Sequence, residues 1–174
     1  MVVVCVITIL AGIAAARVLG PVDHSRGYAA ARFFASRLGL ARLQAVARGA
    51  AIGVRFDRHP GLITYSIFQD GNGNGIRSAD ILAGVDPRLE EPVALSEHFP
   101  GAEIGLTAPS PVTDPVQVGS TNLLTFTPAG TATSGTIYIS DRAGTQWAVR
   151  VLGATGRTRV LRYDNSTRGW VVAY

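Results

Sequence analysis

The spacing of hydrophobic residues changes along the chain, and each change marks a different element. Residues 1–16, "MVVVCVITILAGIAAA", carry no charge, and only Thr8 and Gly12 interrupt their apolar character. Sixteen residues of helix rise about 24 Å, a few residues short of the roughly 20 that a bilayer core requires. No positive charge precedes the run and no small-residue cleavage site comes after it, so the pattern is not that of a secretory signal. Arg17 arrives at once, and the helical pattern continues past Pro21, a residue that kinks a helix as well as ends one. Residues 24–50, "HSRGYAAARFFASRLGLARLQAVARGA", are rich in good helix formers. At about 100° per residue, Ala31, Phe34, Ala35, Leu38 and Ala45 gather on one side, and Arg26, Arg37 and Arg48 on another. The predicted element is one long rod, with an apolar half over 1–20 and an amphipathic half over 21–50. No polar linker separates the rod from the rest of the chain.

From residue 51 the period falls to two. "AIGVRFD" and "LITYSIFQD" alternate on either side of "RHPG" and predict a hairpin. Residues 70–92 are irregular and rich in Gly, Asn and Asp. "PVALSE" and "AEIGLTA" predict short strands around "HFPG", and the prolines of 107–119 argue against strands there. "LLTFTPAGT", "GTIYISD", "TQWAVRVLG", "RTRVLRYD" and "GWVVAY" then predict an antiparallel meander joined by short turns. Such a sheet buries one face, here Phe126, Ile137, Ile139, Trp147, Val149, Val151 and Val160, and the amphipathic helix is its natural cover. The expected fold is α+β, with a long N-terminal helix packed on an antiparallel β-sheet or β-sandwich head. Residues 51–174 form that head, in one domain with 21–50.

Composition narrows the chemistry. The chain is 47% hydrophobic and 16% charged, which is globular rather than disordered. All 16 basic residues are Arg, so lysine Schiff bases and the P-loop lysine are excluded. The net charge of +4 is segregated. Residues 17–58 hold eight Arg and two Asp, residues 70–114 hold eight acids and two Arg, and residues 141–174 hold six Arg and two Asp. This predicts pairing between the basic helix and the acidic segment, or an anionic partner. The single cysteine, Cys5, sits in the apolar run, so there is no disulfide framework. His24, His59 and His98 are scattered, and no HExxH or GxSxG motif accompanies them, so no enzyme is expected. Trp147, Trp170, Tyr138, Tyr163 and Tyr174 read as sheet core and edge residues.

Two segments carry candidate binding chemistry. In "DGNGNGIRSAD", Asp70, Asn72 and Asn74 alternate and Asp80 comes after them, as at the start of a Ca²⁺ loop. The twelfth position, where a bidentate acid belongs, is Ile81, and Asp80 stands one residue early. The same residues also read as a glycine-rich loop of Asx-turns. No other cofactor is called for. "GATGRTR" lacks the lysine and the helix of a phosphate loop, but Arg157 and Arg159 share a strand face. With Arg150 and Arg162 nearby, four guanidiniums on one sheet face would suit a phosphate backbone.

"MVVVCVITILAGIAAARVLG" resembles the start of a type IV pilin-like protein, just after the position where that superfamily carries a short leader, its Gly and a Glu. Either a coding start upstream of Met1 or a deliberate truncation is therefore expected. "YSIFQDGNGNGIRSADILAGVDP", "LLTFTPAGTATSGTIYIS" and "VRVLGATGRTRVLRY" resemble the GspH/FimT branch, the minor pseudopilins of type II secretion and related minor pilins. The resemblance implies a non-enzymatic filament subunit in the bacterial inner membrane, crossing once, with its head in the periplasm. Val2, Val3, Val4, Val6, Ile7, Ile9, Leu10 and Ile13 would pack against neighbouring helices. The implied partners are other major and minor pseudopilins or pilins, the inner membrane, secreted cargo, and a prepilin peptidase acting on a leader. The positive-inside rule would instead read the Arg-rich 17–58 as cytoplasmic, which a basic leader would reconcile. FimT-type pilins of DNA-uptake systems carry a similar Gly-Arg-x-Arg motif implicated in DNA binding. The alternative implied role is thus DNA capture in natural transformation, through Arg157 and Arg159.

Overall fold

The computed structural model of the chain describes residues 2–108, 110 and 112–173, with side chains from residue 25 onward. One helix, α1 (Val2–Arg48), covers the predicted rod except at its ends. The side chains of Val2, Val3, Val4, Val6, Ile7, Ile9, Leu10 and Ile13 lie outside the described residues. Among the described residues, no helix is long and apolar enough to cross a membrane. From residue 27 on, α1 buries Ala30, Ala31, Phe34, Leu38, Ala41 and Ala45. Alanines at these positions bring the helix axis close to the strands beneath it, and Phe34 and Leu38 fill the space between.

The described residues after α1 form ten strands in two antiparallel sheets. β1 (Ile52–His59) and β2 (Leu62–Gln69) form the expected hairpin around Gly61, whose φ of +73° suits glycine. They join β3 (Arg88–Ala94) and β6 (Leu123–Phe126) in the order β3-β2-β1-β6. The second sheet runs β10-β9-β8-β7-β4, built from β4 (Ala102–Ile104), β7 (Gly135–Asp141), β8 (Gln146–Leu152), β9 (Arg157–Asp164) and β10 (Gly169–Val172). Two short helices, α2 (Ser78–Leu82) and α3 (Leu95–His98), lie in the connections.

Three expectations are corrected. The strand predicted over "PVALSE" divides, because β3 ends at Ala94 and α3 begins at Leu95, where Glu97 accepts the Ala94 N–H at 3.0 Å. The proline-rich stretch contains a strand, β5 (Val116–Val118), which shares one edge of β7 end to end with β4. Its Val116 and Val118 are buried, and Asp114 accepts the Val116 N–H at 2.8 Å. β6 leaves the meander and pairs with β1.

α1 lies over the inner faces of both sheets. One core joins it to Ile52, Val54, Phe56, Tyr65 and Ile67 of the first sheet and to Ile137, Ile139, Trp147, Val149 and Val151 of the second. Loops cover part of each outer face. Ile76 closes over Phe68 and Leu123, while Leu106 and Val112 close over Tyr138, Ala148 and Leu161.

Candidate functional site

The seam between α1 and the head is built from glycines and arginines far apart in sequence. At one end, Gly27 sits where a Cβ would lie 2.4 Å from Asp141 Oδ2 and 2.7 Å from Trp147 Nε1. Midway, Arg37 forms a salt bridge with Glu90 of β3 beside Tyr65. Phe34 meets Tyr65 edge-on with ring centroids 5.1 Å apart. At the other end, Arg42 Nε donates to the Gly130 carbonyl at 3.0 Å. Gly156 closes over the same guanidinium, where a Cβ would stand 2.5 Å from Gly130 O and 2.8 Å from Arg42 Cδ. Gly130 and Gly156 have φ of +79° and +59°, so both loops need glycine for conformation, and Gly156 also for space. The Gly of the Gly-Arg-x-Arg sequence is therefore part of the joint between helix and head. Sequence reasoning missed Arg42. The only signal was a pair of turn glycines, in "PAGT" and "ATGRT", whose common partner no local pattern names.

The strand arginines divide between faces. The β8–β9 register pairs Arg150 with Arg159, Leu152 with Arg157, and Trp147 with Arg162. Arg150, Arg157 and Arg159 thus belong to the outer face, and Arg162 to the face that carries Trp147 and the helix. The expected cluster of four on one face is three. Arg162 differs because it stands three positions from Arg159, and an odd step in an extended strand reverses the side. None of the salt bridges among the described residues involves these four arginines. Internal pairing falls elsewhere, in Arg37–Glu90 and in Arg58–Asp114 at 2.8 Å, both between the basic N-terminal and the acidic central segments.

A groove runs along α1 between the helix and β9–β10. Arg32, Ser36, Arg159 and Val160 line a volume of about 790 Å³. Gly39 and Thr158 continue it into a second space of about 400 Å³ beside Arg42 and Arg157. Towards the other end of α1, Ser25, Trp147 and Arg162 border an adjoining cavity.

The loop joining β2 to β3 is held by carboxylates. Asp70 accepts the N–H groups of Asn72, Gly73 and Gly75 at 3.2, 2.8 and 2.8 Å. Asp86, 1% exposed, accepts those of Gly71 and Arg77 at 3.1 and 3.2 Å. Asn72 Oδ1 accepts the Asn74 N–H, and Asn74 Nδ2 donates to Asp80. The side chains of the candidate Ca²⁺ set, Asp70, Asn72, Asn74 and Asp80, are thus engaged with the loop itself. Among the described residues, no group of three or more His, Cys, Asp or Glu side chains is placed to hold a metal. Burial raises the phenol of Tyr65 above its ordinary pKa, against the lowering effect of Arg37. Burial likewise raises Tyr138, while the hydroxyl and N–H of Ser166 lower the carboxyl of Asp164.

Known proteins agree with this architecture. The fold is similar to that of the minor pseudopilin EpsH from the type 2 secretion system of Vibrio cholerae. That structure has a TM-score of 0.51 and 19% sequence identity, over 79% of this chain and 97% of that one. No curated protein sequence matches the chain. Residues 30–156 match the family described as type II transport protein GspH, which favours secretion over DNA uptake. That match begins within α1 and ends at Gly156, so it spans most of the seam; the chain belongs to the GspH family.

Proposed function

We propose that the protein is a minor pseudopilin, a structural subunit of the type II secretion filament that acts in filament initiation and protein export. Supporting this above all is the family match over residues 30–156 on a fold that fixes a long helix to a β head without a hinge. In this reading residues 2–16 reside in the inner membrane before assembly, and the head stands in the periplasm. On assembly the apolar half of α1 leaves the bilayer and stacks against the helices of other pseudopilins, through Val2, Val3, Val4, Val6, Ile7, Ile9, Leu10 and Ile13. The exposed face of α1 adds Leu40, Leu43 and Val46 to that contact. The role requires no catalytic step of the subunit.

Deleting the gene in the bacterium that carries it tests the reading. Substrates of type II secretion should accumulate in the periplasm, and a plasmid copy should restore their release. Unchanged export would overturn the proposal.

A further inference from the structure

We infer that the groove between α1 and the β9–β10 edge is a docking site for an extended acidic segment of a partner protein. This goes beyond filament membership and rests on the groove itself. Arg37, Arg55, Arg58 and Arg88 each reach a carboxylate. Arg32 and Arg42 stand on the helix wall of the groove, while Arg157 and Arg159 leave the outer face of β9 at its rim, and none of the four is in a salt bridge among the described residues. Arg157 and Arg159 are neighbours on one face of this open edge, and an anionic occupant relieves the repulsion between them.

Shape and backbone make the occupant an extended chain. The helix wall from Tyr28 to Arg42 rises about 21 Å, the length of about six extended residues. Ala35, Val160, Val172 and Ala173 give the groove apolar surface. β10 pairs only with residues 161–164 of β9. One residue further back, the Val160 carbonyl accepts the Ala173 N–H at 3.1 Å, so the polar backbone groups of Val160 point to this edge. Those of Thr158, two residues earlier, point the same way, and no strand among the described residues lies opposite them. A segment alternating acidic and apolar residues would pair with Thr158 through its main chain, turn its carboxylates to Arg157 and Arg159 on the outer face and lay its apolar side chains against the helix wall. A convex nucleic-acid duplex would rest on the rims and leave Thr158 unpaired.

The test uses the full chain in detergent, a fluorescein-labelled (Glu-Val)4 peptide, its (Gln-Val)4 counterpart and a short duplex DNA, read by anisotropy at about 50 mM salt. The Glu peptide should bind at least ~10-fold more tightly than the Gln peptide, and joint Arg157→Ala and Arg159→Ala substitution should weaken it ~10-fold or more. Arg150→Ala, outside the groove, should change binding less than about twofold, and thermal melts should show all variants folded. No binding of the Glu peptide, equal binding of the Gln peptide, equal loss on Arg150→Ala, or tighter binding of the duplex would each overturn the inference.

Discussion

Trp147 donates its Nε1 proton to Asp141 Oδ2 at 3.0 Å, and the two side chains lie directly beneath Gly27 of the helix. The indole is 2% exposed, so its N–H has to be satisfied within the protein, and the buried carboxylate does this. The helix can pass over the pair only where it has no side chain. Gly27→Ala should destabilise the head by about 1–3 kcal/mol through overpacking, read as a lower urea midpoint and altered near-UV circular dichroism. Gly39, with nothing within 4 Å of a Cβ, is the contrast. Gly39→Ala should stabilise by roughly 0.5–1 kcal/mol, because alanine restricts the unfolded chain and favours helix.

Phe34 is fully buried and touches both Phe56 and Tyr65 with edge-on geometry. Phe34→Ala removes the largest apolar contact between α1 and the first sheet. Its cost should be about 3–5 kcal/mol in chemical denaturation, and Phe34→Leu should recover much of it.

Asp86 satisfies two backbone N–H groups from inside the 70–86 loop. Asp86→Ala orphans both, at about 1–3 kcal/mol for each that stays buried. Hydrogen exchange at Gly71 and Arg77 should accelerate in the variant while the β1–β2 hairpin stays protected.

Tyr65 ties stability to alkaline pH. Its phenol is raised in the folded state, chiefly by burial. The unfolded chain therefore loses this proton first as pH rises past about 10. The contribution is complete below that value and is lost as pH climbs towards the folded-state pKa. Stability should fall more steeply above pH ~10 in the native protein than in Tyr65→Phe, as measured by urea midpoints across that range.

Much of the fold was legible because its signals are local. The 3.6-residue spacing of Ala31, Phe34, Ala35, Leu38 and Ala45 identified the buried helix face; all are fully buried except Ala35, which packs half-buried against the same core. The alternation of Ile137, Ile139, Trp147, Val149 and Val151 identified the inner face of the second sheet. What escaped depends on distant partners. Val116 and Val118 form a strand because half of the β7 edge is open to them, which no window around Pro111 and Pro115 reveals. Asp86 lies outside the 70–80 motif, yet it shares the loop's N–H groups with Asp70. The convergence of Arg42, Gly130 and Gly156 joins three segments that only the folded head brings together.

The filament reading is tested most directly at Leu43, which is 62% exposed on the face of α1 turned away from the head. A photo-crosslinking amino acid placed there, in cells assembling the secretion system, should yield a covalent adduct with another pseudopilin. A folded, membrane-fraction protein that forms no pseudopilin adduct on irradiation would contradict it.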